Sequence, residues 1–217
     1  MIQRIGVAPR RRGLDIAEFQ KHWGAEHGDV VTKLVGVRRY WQNHALLKDG
    51  EPLLPWPGFD ACSEIEFDNM LAMDAAFTSP TYQDGVRKDE EFLVDKRIGG
   101  LMLAERVHLS GRIDMGGVRL LTFMRCAPQR TVAALHGALR AMPAATTAMA
   151  RELFLALDDK AAAQRVSIFD AIDVQWFAGP QQAERYLVSA EAREHRHQFA
   201  DLVRGTERLI ARIRAIV

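Results

Sequence analysis

Two stretches of nine residues decide the fold: FDACSEIEF at positions 59–67 and FDAIDVQWF at positions 169–177. Both begin with Phe-Asp-Ala, both end in Phe, and they are 110 positions apart. Residues 61–67 alternate in character as a β-strand does, because successive side chains of a strand point to opposite faces. The match therefore predicts one strand that occurs twice, once in each half of a duplicated chain.

The elements around the first stretch follow the order βαββαβ, the split unit of a ferredoxin-like fold. The signals are apolar runs of strand length, apolar residues at helical spacing, and turn residues between them. The predicted elements are strands at 2–8, 37–47, 61–67 and 101–109, helices at 16–34, 69–77 and 81–94, and a Pro-rich loop at 48–58. Asp15 is the predicted N-cap of the first helix, and Glu18 would complete a capping box.

The same order repeats in the second half, after a glycine-rich linker at 111–117. The predicted elements are strands at 118–126, 148–157, 169–177 and 207–217, helices at 131–142 and 180–204, and a polar loop after Leu157. We therefore predict an α+β fold of two tandem ferredoxin-like (βαββαβ) repeats, residues 1–110 and 118–217. Their antiparallel sheets are expected to pack face to face as an α+β barrel. This packing permits a homodimer but does not require one.

Charge and composition exclude several classes of protein. The chain has 29 basic and 28 acidic residues, so it lacks the basic excess of a nucleic-acid-binding protein, and the short run Arg10 to Arg12 is interpreted as a solvated loop. No apolar stretch approaches the ~18 residues that cross a membrane. The N-terminus turns polar too early for a signal peptide, and two isolated cysteines fit a reducing compartment. We expect a cytoplasmic protein that binds neither nucleic acid nor a membrane.

His27 is the first candidate for chemistry. The apolar face of the helix at 16–34 consists of Phe19, Trp23, Val30 and Leu34. His27 falls within this face, whereas His22 is predicted to reach solvent. A buried imidazole needs a polar partner. It is therefore either a core histidine bonded to a backbone carbonyl or an acid/base group.

The second strand carries polar side chains on both of its faces. Alternation puts Tyr40, Gln42 and His44 on one face, and it puts Arg39, Trp41 and Asn43 on the other. Such a strand lines a ligand cavity or lies at a wet edge. Glu64 and Glu66 share one face of the third strand, where they are either solvated or, if near His27, able to orient its imidazole.

These residues resemble the EthD-like family of dimeric α+β-barrel proteins over about residues 1–109. The resemblance rests on Gly13-Leu14, Glu18-Phe19, His22-Trp23, Glu26-His27, Gly36 to Tyr40, Gln42-Asn43-His44, Phe59-Asp60-Ala61, Glu64 and Phe67-Asp68. The family is similar in fold to antibiotic-biosynthesis-type monooxygenases and muconolactone isomerases, which work mostly without metal or bound cofactor. A related methylisomerase has a first-helix histidine and a second-strand tyrosine in its pocket, which implies those roles for His27 and Tyr40.

We therefore predict an acid/base enzyme that uses no metal and no cofactor. It would be an isomerase, a lyase or dehydratase, or a lactone-processing enzyme, and its partner would be a small oxygenated cyclic or aromatic compound of catabolism or secondary metabolism. The predicted catalytic residues are His27 as base, Tyr40 as hydroxyl donor and Glu64 as the carboxylate that orients His27. The predicted substrate-binding residues are Trp23, Trp41, Asn43, His44, Trp56 and Asp60.

The second repeat offers no twin of this set. Its first helix stops at Pro143, near the place of His27, and Val174 stands where the first repeat has Glu64. One pocket per chain is expected. Three alternatives stay open: a haem protein with His195 or His197 as axial ligand, an oxygen-dependent monooxygenase, and a non-catalytic protein that binds a small ligand.

Overall fold

The computed structural model describes residues 1–157 and 167–217. They form two compact units, Met1–Leu103 with Ile213–Val217, and Ala104–Arg212. The predicted domains, 1–110 and 118–217, divide the chain differently, because two long strands each contribute residues to both units. The predicted polar loop after Leu157 lies outside the described residues. No helix formed by the described residues is long and apolar enough to cross a membrane.

The elements of the first unit follow the predicted order. The strands are β1 (Ile2–Ala8), β2 (Val37–Ala45), β3 (Leu47–Lys48), β4 (Glu51–Pro52), β5 (Ala61–Phe67) and the start of β6 (Gly100–Gly111). The helices are α1 (Ile16–His22), α2 (Gly28–Val31), α3 (Met70–Thr78) and α4 (Arg87–Leu93). Part of the predicted loop at 48–58 is the short hairpin β3–β4. Its turn has positive φ at Asp49 (55°) and Gly50 (84°), which suits a tight hairpin.

The second unit repeats the order. Its strands are the end of β6, then β7 (Val118–Cys126), β8 (Ala150–Ala156), β9 (Ala171–Phe177) and most of β10 (Val203–Ala215). Its helices are α5 (Val132–Ala141), α6 (Pro180–Val188) and α7 (Ala190–Phe199), followed by a 3₁₀ turn at Ala200–Leu202. The predicted single helix at 180–204 is broken at Ser189, whose side chain caps α7. The α+β class and the ferredoxin-like order of both units are confirmed, while the packing of the two sheets on each other stays a prediction.

Helices cover one face of the first unit's sheet. In this sheet β5 lies between β1 and β2, and both pairings are antiparallel. Ala61 of β5 packs against Phe19, Trp23 and Leu93, so the covered face is the one to which Ala61 points. Because side chains alternate along a strand, Glu64 points to the opposite face.

Two π-helices interrupt the helices of the first unit. One, Trp23–His27, follows α1, and the other, Tyr82–Val86, precedes α4. Asp15 caps α1 as predicted, since its carboxylate accepts hydrogen bonds from the amides of Ala17 and Glu18. A π-helix bonds residues five apart instead of four, so it changes which side chains share a face.

The shared Phe-Asp-Ala motif has the same role in both units. The carboxylate of Asp60 accepts a hydrogen bond from the backbone amide of Arg10 at 2.8 Å. Asp170 accepts the corresponding bond from the amide of Cys126 at 2.7 Å. In each unit the aspartate thereby fixes the chain at or just after the end of the strand Ile2–Ala8 or Val118–Cys126, which supports the predicted duplication.

Candidate acid/base site

His27 is held by a carboxylate from another helix. It lies in the first π-helix, is 6% exposed, and its Nδ1 is 2.7 Å from Oδ2 of Asp89 in α4. Because an ionised carboxylate only accepts hydrogen bonds, Nδ1 carries the proton of the bond. Within residues 1–157 and 167–217, Nε2 of His27 has no hydrogen-bond partner. In the neutral ring Nε2 therefore carries the lone pair, which is the arrangement of a general base.

A second imidazole binds the same carboxylate. Nε2 of His22 is 2.7 Å from Oδ1 of Asp89, and its side chain is 28% exposed. His22 therefore reaches solvent in part, as predicted, but it also binds the carboxylate that holds His27, because the π-helix brings residues five positions apart to the same side. Helical spacing of 3.6 residues per turn could not anticipate this.

Asp89 is a member of the candidate site that the sequence pattern did not reveal. Burial raises the pKa of its carboxyl, but hydrogen bonds from His27 and His22 outweigh that effect, and the net shift is downward. Asp89 is therefore ionised at neutral pH and accepts a hydrogen bond from each imidazole. The signal that could have found it was an acidic residue on the third predicted helix, at 81–94, on the side facing the helix at 16–34.

A second polar group lies beneath the same π-helix. Gln42 is fully buried, and its Nε2 donates to the carbonyl of Trp23 at 2.7 Å and to Oη of Tyr40 at 2.9 Å. Its Oε1 accepts from Nε2 of His44 at 2.9 Å. The rings of His44 and Trp23 stack with centroids 4.7 Å apart. Tyr40, Gln42 and His44 thus share one face, as alternation predicts, and it is the face that the helices cover.

Burial keeps this second group neutral. It raises the pKa of the Tyr40 phenol, so Tyr40 remains a proton donor at any physiological pH. Burial, together with the charge of Arg214, lowers the pKa of His44 to about 4. The group therefore offers neutral hydrogen-bonding atoms and a flat stacked surface.

Glu64 does not orient His27, and that prediction is wrong. Glu64 is 1% exposed and accepts a hydrogen bond from Nδ2 of Asn43 at 2.8 Å, on the sheet face that points away from Trp23. Alternation correctly groups Glu64 with Glu66, but it does not reveal which face the helices cover. Asp89 takes the orienting role instead.

The structure does not join the other predicted binding residues to His27. Trp41 lies opposite Glu64 in the sheet and shares its face with Asn43. Trp56 is 56% exposed in the loop after β4. Asp60 is bound by Arg10 through its backbone amide and its guanidinium. Of the predicted binding residues, Trp23 begins the π-helix of His27, and His44 stacks on Trp23.

The predicted haem ligands do not fit a haem. His195 is 5% exposed, and its Nδ1 lies 2.8 Å from Oη of Tyr186, which also accepts a hydrogen bond from Gln175. The cavity beside it measures about 20 Å³, whereas ligand pockets measure roughly 300–1,000 Å³. His197 is exposed on α7. Among the described residues, no three His, Cys, Asp or Glu side chains are grouped as a metal site requires.

Comparison with known families finds one domain. Residues 11–97 match the family described as EthD domain. This segment contains His22, His27 and Asp89. A search of curated proteins finds no match.

Solved structures with low sequence identity share the fold over nearly the whole chain. An anthrone oxidase-like protein has a TM-score of 0.65 at 11% identity and covers 99% of this chain and 93% of its own. A putative monooxygenase from Lactobacillus acidophilus has a TM-score of 0.55 at 12% identity, with 100% and 94% covered. Mutant chlorite dismutase from Candidatus Nitrospira defluvii has a TM-score of 0.56 at 9% identity, with 99% and 91% covered. At such identities the likeness concerns the fold alone.

Proposed function

We propose, from the premise that residues 11–97 of this chain match the family described as EthD domain, that the first unit is a proton-transfer enzyme. Its substrate would be a small oxygenated cyclic or aromatic compound, and its reaction an isomerisation, an elimination or the conversion of a lactone. The cytoplasmic location and a homodimer stay predictions.

One observation carries the proposal: Nδ1 of the buried His27 is fixed on Asp89, while Nε2 has no partner among the described residues. Nε2 would take a proton from a carbon next to a carbonyl group. Asp89 would stabilise the imidazolium that results, and His27 would return the proton to another carbon or to a leaving oxygen. A positioned base of this kind contributes roughly 10²–10⁴-fold to a rate.

Tyr40 and the Trp23–His44 stack are proposed to receive the substrate. Oη of Tyr40 accepts its hydrogen bond from Gln42, so its own proton remains to be donated to a carbonyl or enolate oxygen. The stacked rings of Trp23 and His44 would lie against a flat ring.

Deuterium exchange tests this function even when the product of the reaction is unknown. Unsaturated lactones, cyclic ketones and phenols are incubated with the enzyme in D₂O, and incorporation at carbon is measured by mass spectrometry. We expect the wild-type protein to accelerate exchange in one of these classes, and His27→Gln to lose at least about 100-fold of that rate while unfolding at an unchanged temperature. Exchange that is equally fast in His27→Gln, or absent in every class, would show the proposal to be wrong.

An oxygen-dependent oxidation is the second candidate, favoured by the whole-chain likeness to a putative monooxygenase and an anthrone oxidase-like protein. Its first step would use the same base: His27 removes a proton, and the carbanion reacts with O₂, so that a CH₂ group and O₂ give C=O and water. The two candidates are separated by incubating the enzyme with anthrone in D₂O, in air and under nitrogen, and measuring quinone formation and deuterium exchange. Quinone formed only in air, and lost in His27→Gln, supports oxidation, while exchange under nitrogen without quinone in air supports proton transfer alone.

A further inference from the structure

Two glycines let the C-terminal segment of the first unit lie directly on the helix of His27. Gly24 and Gly28 are four residues apart, and the segment Ile213–Val217 packs against both. A Cβ at Gly24 would be 2.5 Å from Nη1 of Arg214, and a Cβ at Gly28 would be 3.1 Å from Ile216. Any side chain at position 24 would therefore displace the Arg214 guanidinium.

Arg214 is thereby placed among the groups of the proposed site. Gly24 lies between Trp23 and His27 in the same π-helix. Arg214 is also close enough to His44 for its charge to disfavour protonation of that ring. One guanidinium thus borders both the π-helix of His27 and the Trp23–His44 stack.

Asp89 and Glu26, the acidic groups of the candidate site and its π-helix, have other partners or face solvent. Asp89 is engaged by two imidazoles. The side chain of Glu26 is 61% exposed and lies 4.0 Å from His22. Arg214 is itself exposed, and across the described parts of the chain it forms no hydrogen bond and no ion pair with a carboxylate. A guanidinium presents a planar fork of donors that matches a carboxylate in a bidentate bond.

We propose that Arg214 binds a carboxylate of the substrate while the substrate's ring lies against the Trp23–His44 stack. The substrate class is then small cyclic or aromatic organic acids. This inference rests on the proposed function, since it names the ligand of the same site. It also gives Gly24 a role in specificity, because only glycine leaves the guanidinium on the π-helix.

Matched acid and amide probes test the inference. Binding of benzoate and benzamide, and of phenylacetate and phenylacetamide, is measured by calorimetry. We expect the wild-type protein to bind at least one acid about 10-fold or more tightly than its amide, as a charge-assisted bond predicts. Arg214→Gln and Gly24→Ala should lose this preference and retain the affinity for the amide. The control variant Arg212→Gln should keep this preference for acids. Arg212 is a second exposed arginine of the same strand, and it donates a hydrogen bond to the carbonyl of Gly116.

The outcomes separate this inference from the proposed function. If no acid binds the wild-type protein better than its amide, or if Arg214→Gln keeps the preference, Arg214 does not recognise a carboxylate. That result leaves the dependence of deuterium exchange on His27 untouched. Conversely, exchange that does not depend on His27 would refute the proton-transfer function even if acids bind through Arg214.

Discussion

The two units use equivalent positions for different purposes. The N-caps Asp15 and Thr131 align the first helices at an offset of 116 positions. Ser79 and Ser189 cap the helical segments that begin at Pro80 and Ala190, at an offset of 110. At these offsets, His22, His27 and Asp89 correspond to Ala138, Pro143 and Phe199. These three titratable residues of the candidate site are therefore replaced by residues that cannot exchange a proton.

The second unit fills the same region with a fixed ion pair. Arg151 is 1% exposed, lies 2.7 Å from Asp173, and donates to the carbonyls of Leu139 and Met142 at the end of α5. Leu139 is the equivalent of Trp23, whose carbonyl accepts from Gln42 in the first unit. Helix α5 ends before Pro143, and Arg151 donates hydrogen bonds to the backbone carbonyls left without partners at its end. Helix α1 instead continues into a π-helix that carries His27. The difference indicates that one unit supports structure and the other is suited to chemistry.

The largest expected effect is on the stability of the second unit. Arg151→Met would leave Asp173 buried without its partner, so we expect the free energy of unfolding to fall by about 3–5 kcal/mol. Urea unfolding measures it. The control Arg140→Met removes a surface pair with Glu105 and should cost less than about 1 kcal/mol. If Arg151→Met lowered the free energy of unfolding as little as this control does, the structural role given to the second unit would be wrong.

The next effect is on the rate of proton transfer in the first unit. Asp89→Asn should lower the deuterium-exchange rate by roughly 10²–10³-fold, because an amide cannot stabilise the imidazolium of His27 as a carboxylate does. The control is Asp84→Asn, an exposed carboxylate paired with Lys88. If Asp89→Asn and Asp84→Asn had equal deuterium-exchange rates, Asp89 would have no role in proton transfer.

A pH profile tests His44, which corresponds to Leu155 in the second unit. Its pKa is about 4 in the folded protein, against 6.5 for a free histidine. The unfolded chain therefore binds more protons between these values, and stability is lost as pH falls from 6.5 to 4, by up to about 3 kcal/mol. His44→Leu should lose that much less stability over this range. If the wild-type protein and His44→Leu lost the same amount of stability over this pH range, His44 would not be a buried, neutral ring.

The smallest expected effect is on stability, at the aspartate of the Phe-Asp-Ala motif that both units share. Asp60→Ala and Asp170→Ala each remove one carboxylate bound to a backbone amide. We expect each to cost about 1–3 kcal/mol in urea unfolding, with the larger cost at Asp60, whose carboxylate also binds the Arg10 guanidinium. A clear cost in only one of them would weaken the assignment of equivalent roles.

The sequence predicts strands better than the site, for a physical reason. Strands β1, β5 and β7 begin and end where alternation and turn residues put them, because these signals are local. The contact between His27 and Asp89 joins residues 62 positions apart and depends on how two helices pack. The π turn that aligns His22 with His27 has no signature in a 3.6-residue period. Position 27 could therefore be singled out, but its true partner could not.

The exchange rates of two buried-histidine variants test the central claim most directly. His27 and His195 are 6% and 5% exposed, and each Nδ1 has a hydrogen-bonded partner, Asp89 in one unit and Tyr186 in the other. Deuterium exchange into the compound that the wild-type protein exchanges fastest is compared for His27→Gln and His195→Gln at matched folded fractions. We predict a loss of at least about 100-fold for His27→Gln and an unchanged rate for His195→Gln. An unchanged rate for His27→Gln, or an equal loss in both variants, would contradict the assignment of His27 as the base.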